Sequence, residues 1–129
     1  MQTTYHYDKC NYRMVAMTSR EKLQPWKPSD ATDAIREISK DAAFMLDLTG
    51  HAKEQMNARD LITSDVLHVL KYGFVYEIAE QATKPNCYKY KVESTTPAGA
   101  RIVRVVAIPW TTPPEIKIVT VMWRDEPMQ

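Results

Sequence analysis

The 129-residue chain changes its hydrophobic period at Gly73, and that change constrains the fold more than any other feature. Before this glycine, apolar residues recur at helical spacing: Ala34, Ile35, Ile38 and Ala42 form one stripe, and Val66, Val69 and Leu70 form another. After it, the runs Phe74–Ile78, Tyr88–Glu93, Arg101–Ile108 and Glu115–Trp123 are rich in β-branched and aromatic residues. The breaks between them hold Pro85-Asn86, Pro97-Ala98-Gly99 and Pro113-Pro114. Helices that all precede the strands predict an α+β fold, with N-terminal helices packed on a four-stranded, mainly antiparallel C-terminal sheet. The last two runs are apolar on both faces, as expected of central strands covered by helices on at least one side.

Local signals set the expected boundaries. Pro25-Trp26-Lys27-Pro28 breaks regular structure, and Ser29 offers an N-cap for a helix that runs from about residue 30 to 41, with Asp30 and Asp33 at its positive end. Phe44–Leu48 reads as a short extended or turning piece. Thr49 suits the cap of a helix opened by Gly50-His51, with Ala52 and Met56 on its inner face. Thr63 or Ser64 suits the cap of the next helix, Gly73 stands where a left-handed C-terminal residue belongs, and His68 points away from the apolar stripe. Met14-Val15-Ala16-Met17 fits either strand or helix. These boundaries divide the chain into an extension (1–29), a domain (30–125) and a tail, with the residues from Asp125 to Gln129 expected to be loose.

Composition narrows the class. An apolar fraction of 44% and a charged fraction of 26% are those of one globular domain. The longest apolar runs, such as Val105–Ile108, fall far short of the roughly 20 residues of a membrane span. The N-terminus lacks a basic segment followed by an apolar one, so cytoplasmic residence is expected, with Cys10 and Cys87 as free thiols. No C-x2-C pair, Gly-rich phosphate loop, H-E-x-x-H or G-x-S-x-G occurs, and His6 with Cys10, four apart, supplies only two of the ligands a tetrahedral metal site needs. No metal or other cofactor is expected, and nucleotide hydrolysis, zinc proteolysis and serine hydrolysis are poorly supported.

The overall charge of +1 hides a division. Residues 30–80 carry ten acidic against five basic side chains, whereas residues 84–124 carry seven basic ones against Glu93 and Glu115. A basic sheet can meet phosphate or can face its own acidic helices, and charge alone favours the second reading.

The run His51-Ala52-Lys53-Glu54-Gln55-Met56-Asn57-Ala58-Arg59, followed by Leu61 and by Asp65-Val66-Leu67-His68-Val69-Leu70-Lys71-Tyr72-Gly73, resembles a small bacterial family, DUF4258. Its members typically carry H-A-x-x-R-M-x-x-R-x-I, a D-V-x-x-V-L-x-x-G helix and a closing strand rich in Val and Thr. The resemblance spans roughly residues 30–125 and has two departures: Gln55 stands where the family usually has its first Arg, and Asp60 where Gly commonly ends the helix. The arrangement of helices ahead of an antiparallel sheet is similar to that of toxin ribonucleases of the RelE and BrnT type. That similarity implies an RNA-cleaving activity and an antitoxin-like partner. A shared fold carries no reaction with it, so the residues must supply the chemistry.

Metal-independent RNA cleavage needs a base for the 2′-hydroxyl, cations for the phosphate and an acid for the leaving oxygen. His51, at a helix N-terminus, would feel a positive potential favouring the neutral imidazole. Arg59 and Arg104 suit a forked phosphate contact, and Lys89 joins them in the candidate catalytic set. Lys91 shares a strand face with Lys89, while Tyr90, Arg101 and Arg124 are candidate RNA contacts, Tyr90 through base stacking. Each has a structural alternative: His51 packing at a helix start, Arg59 pairing with Glu54 or Asp60, the lysines on a solvated face and Tyr90 in the core. Trp26, Trp110 and Trp123 read as packing residues. The competing function is a non-catalytic accessory module that docks a protein partner, and a homodimer is compatible with either.

Overall fold

The computed structural model describes residues 5–7, 14–97 and 99–127. Strands β1 (Tyr5–Tyr7) and β2 (Met14–Ala16) pair antiparallel as a separate ribbon, so the ambiguous run at Met14 is extended. Cys10 lies outside the described residues, and Cys87 is a free thiol.

Helix α1 (Pro28–Ser39) begins one residue before the expected cap. Pro28 supplies a helical φ and lacks an N–H that would be orphaned there anyway, so Ser29 falls inside the helix and does not cap it. The predicted stripe holds in part: Ala31, Ala34, Ile35 and Ile38 are buried, while Ala42 is exposed beyond the helix end. Helix α2 (Gly50–Ala58) starts at Thr49, whose hydroxyl accepts from the Ala52 N–H at 3.1 Å. Helix α3 (Thr63–Tyr72) buries Val66, Val69 and Leu70. Its entry is closed by Asp65, whose carboxylate accepts the Ile62 N–H at 2.9 Å, and not by Thr63 or Ser64.

Six strands form the main sheet, not four. They are β3 (Met45–Leu48), β4 (Phe74–Val75), β5 (Glu80–Gln81), β6 (Tyr88–Thr95), β7 (Ile102–Trp110) and β8 (Glu115–Trp123). The order is β3-β8-β7-β6-β4, with β5 also pairing β6. Two causes account for the difference. The Phe74–Ile78 run stays on the β6 ladder only at Phe74 and Val75, and the chain returns to β6 at Glu80 and Gln81. Met45–Leu48 adds parallel to β8, a pairing across distant sequence that carries no local signal.

One face of the sheet, presenting Tyr90, Val92, Val103, Val105, Ala107, Ile116, Ile118 and Val121, packs with buried residues of all three helices. The two β4 edge groups nearest α1 are satisfied by that helix. Thr32 Oγ1 accepts the Val75 N–H at 2.9 Å, and the Arg36 guanidinium donates to Gly73 O at 3.0 and 3.2 Å. Gly73 is extended (φ −78°, ψ 175°) and not left-handed. It is required for another reason: a Cβ there would collide with Val69 O and lie 2.9 Å from both Glu93 O and Val92 Cγ1.

Among the described residues no helix is long and apolar enough to cross a membrane.

Candidate functional site

Strand alternation sends Lys89, Lys91, Arg104, Val106, Ile108 and Lys117 to the face opposite the helices. A β-bulge between the Val106–Thr120 and Ala107–Ile118 pairs leaves Val119 as an extra residue on β8. Alternation alone would put Val119 and Thr120 on opposite faces, yet both line clefts on the helix-free face, while Ile118 and Val121 both stay in the core. The bulge thus widens the floor of the site without disturbing the packing behind it.

His51, Gln55 and Arg59, the last at the C-cap, recur every four residues and form one stripe along α2, about 100° of turn away from buried Ala52 and Met56. That stripe faces β8. Where β3 ends, the edge of β8 would present an unpaired N–H, and Gln55 Oε1 accepts it from Val121 at 2.9 Å. Helix α2 therefore continues the sheet edge through a side chain, and Gln55 fixes the stripe against the strand.

A cleft of about 440 Å³ results. His51, Gln55, Arg59, Lys89 and Lys91 line it, with Glu80 and Glu126, over a floor of Val106, Val119, Thr120 and Met122. Four of the eight candidate residues therefore meet in one place, drawn from α2 and β6: His51, Arg59, Lys89 and Lys91. The exposed His51 ring stands at the α2 end of the cleft.

Most of the cations have carboxylate partners. Arg59 Nε and Nη2 donate to Glu126 Oε1 and Oε2 at 2.8 and 2.6 Å, a two-point fork. That hydrogen bond holds the Glu126 carboxyl down at about 2 and raises the Arg59 guanidinium. Lys91 Nζ contacts Glu77 at 3.0 Å and Glu80 at 3.6 Å, and the hydrogen bond from Lys91 lowers Glu77 while Lys91 itself is raised. Lys89 has no carboxylate within 4.0 Å among the described residues.

The remaining candidates lie elsewhere. Arg104 and Arg124 both address buried Glu93, at 2.8 and 3.5 Å, and neither lines the cleft. Arg101 binds Asp125 at 2.7 Å and stacks on Trp123 with 4.3 Å to the ring centre. Tyr90 is on the opposite face of β6 and 1% exposed, so base stacking is closed to it. Its hydroxyl accepts the Trp26 N–H at 2.9 Å and donates to Gln24, and burial pushes the phenol up to about 12. The structural alternative for Arg59 is also altered in detail, because its partner is Glu126 of the tail and not Glu54 or Asp60. With Asp125 and Glu126 both engaged, the tail is anchored as far as Glu126.

Among the described residues, no ion pair joins a cation of the sheet to a carboxylate of α1, α2 or α3. The helices cover one face and these cations stand on the other or at the strand ends, so the charge-based expectation fails for the helical carboxylates and holds only for Glu77 and Glu80, which follow the helices in the acidic half and pair with Lys91. Sequence periodicity assigns Lys89 and Lys91 to one strand face, but Gln55, Val119, Thr120 and Glu126 escaped it. A bulge and an edge-capping amide have no local signature.

A small α+β domain with a polar, partly cationic cleft on its helix-free sheet face is the class this architecture defines. The family of domains of unknown function DUF4258 matches residues 48–123, more than half of the chain, and the chain belongs to that family. The match begins later than the resemblance drawn from the motifs, leaving α1 outside it although α1 completes the core. No curated protein and no solved structure matches the chain.

Proposed function

We propose that this domain binds RNA in the cleft beside α2 and cleaves it without a metal, as a toxin-like endoribonuclease. The observation that carries the reading is the meeting of His51, Lys89, Lys91 and Arg59, separated by up to forty residues of sequence, around one cleft. In this mechanism the His51 imidazole takes the proton of the 2′-hydroxyl as that oxygen attacks phosphorus, the P–O5′ bond breaks to leave a 2′,3′-cyclic phosphate, the departing 5′-oxygen takes a proton from solvent water, and Lys89 faces the phosphate oxygens on which charge grows. Arg59 contributes by exchanging its Glu126 carboxylate for the phosphate, a swap between two anions of similar geometry.

Expression of the chain in bacteria is then expected to arrest growth. His51→Ala is expected to restore it and to lower RNA cleavage in vitro by about 10²- to 10⁴-fold. Unimpaired growth together with intact RNA after incubation would overturn the assignment.

A second reading, a non-catalytic module that docks a protein, has its own support. Tyr72, Phe74, Tyr76 and Ile78 are 50–83% exposed in one short stretch around β4, a run of exposed apolar side chains of the kind a protein partner would cover. Salt separates the two, because affinity for phosphate falls steeply with ionic strength and affinity for an apolar partner does not.

A further inference from the structure

We infer that the cleft beside α2 is one half of a longer groove, and that the ligand is a single-stranded polynucleotide occupying a second subsite bounded by Lys84, Lys117 and Trp110. This rests on the RNA reading above and extends it from one phosphate to a strand. A second cleft, of about 410 Å³, lies on the same sheet face. It shares Lys89, Val119 and Thr120 with the first, so the two are contiguous across the bulge. Each volume falls within the range of about 300–1,000 Å³ usual for small-molecule sites.

The second cleft has the chemistry of a nucleotide site. Three lysines line it, Lys84, Lys89 and Lys117, and among the described residues no carboxylate does. None of the three has a carboxylate within 4.0 Å among the described residues, although Asp47 is paired in register with Lys117 on the neighbouring strand. The cations of the first cleft are mostly spent on Glu77, Glu80 and Glu126, so the stronger uncompensated charge is in the second. Its apolar lining, Ile108 and the half-buried Trp110, offers an indole for base stacking, which tolerates any base. Lys89, at the shared wall, is placed to contact the phosphate between the two nucleotides. A duplex carries its bases stacked inside and could not use such an indole, which selects a single strand.

The test uses the full chain and 2′-O-methyl RNA, which lacks the nucleophilic hydroxyl and so reports binding alone. Fluorescence anisotropy is measured with a mononucleotide and a tetranucleotide on the wild type and on a Lys84→Ala/Lys117→Ala variant. The tetranucleotide is expected to bind the wild type about tenfold or more tighter than the mononucleotide, and the variant is expected to erase that gain. The slope of log affinity against log salt is expected to fall by about 1.4 on removal of two phosphate contacts. Trp110 emission is expected to be quenched by the tetranucleotide, with the quench absent in Trp110→Phe. Tetranucleotide binding that is unchanged in the double variant would overturn the second subsite and leave the cleft beside α2 standing. Failure of every RNA to bind would overturn both.

Discussion

The Arg59 guanidinium and the Glu126 carboxylate lock the end of α2 to the segment after β8 through two parallel contacts of 2.8 and 2.6 Å. Glu126 Oε1 also accepts the Trp123 N–H at 3.1 Å, so one carboxylate closes the strand end and one wall of the cleft together. The pair is both a structural clasp and a restraint on the cation that the proposed function would use.

Glu126→Gln is expected to lower stability by about 1 kcal/mol in urea unfolding at neutral pH, since the amide keeps one acceptor and loses the charge. The folded carboxyl sits at about 2, below its ordinary value of 4.5. Its contribution is therefore present in full above about pH 4.5 and is lost as pH falls through about 2, so the difference between wild type and variant is expected to vanish at the acid end. If Arg59 contacts RNA, the same variant is expected to bind RNA more tightly, because the competing carboxylate has gone. An unchanged or weakened RNA affinity would argue that Arg59 is a clasp alone.

Gln55→Ala removes the side-chain oxygen that accepts the Val121 N–H, at the point where β3 no longer covers β8. A loss of about 1–3 kcal/mol is expected, the range for a buried donor left unmatched. Amide hydrogen exchange at Val121 is the specific readout and is expected to accelerate more than that of its strand neighbours. Gln55→Arg, the residue usual in the family, adds a cation to the cleft but no acceptor, and is expected to show the same exchange defect.

Gly73→Ala is expected to be costly despite the ordinary φ of −78°. The added methyl meets Val69 O, Glu93 O and Val92 Cγ1, all on packed elements with little freedom to give. About 1–3 kcal/mol of overpacking strain is expected, measured as a lower urea midpoint.

Asp60 holds φ at 55°, a left-handed conformation, at the position where the family commonly has Gly. Asp60→Gly relieves the strain but loosens the unfolded chain, and these effects offset to within about 0.5 kcal/mol. Asp60→Val has no such compensation and is expected to cost about 1–2 kcal/mol in thermal or urea unfolding. Equal stability of the two variants would show that the α2–α3 turn can adopt another path.

Much of this was legible from residue order. The helical stripes at Ala34–Ile38 and Val66–Leu70, the Thr49 cap, the strand-rich second half and the family motif around His51 all depend on neighbours within a few positions, and local spacing reports local structure. Alternation also assigned Lys89 and Lys91 to a common face, but it gave Tyr90 no preference between a base and the core. Only the sheet's placement against the helices decided that, by putting Trp26 and the α1 core on Tyr90's side.

What sequence could not determine is everything that depends on partners distant along the chain. The parallel pairing of β3 with β8, the departure of the chain from β6 after Val75, the bulge at Val119 and the choice of Glu126 as the partner of Arg59 each join segments that carry no mark of one another. The charge division was visible as a count, yet its meaning was set by which face each side chain occupies. Composition fixes how many cations there are; tertiary structure fixes which carboxylates reach them, because ion pairing falls off over a few ångströms and chain separation says nothing about that distance.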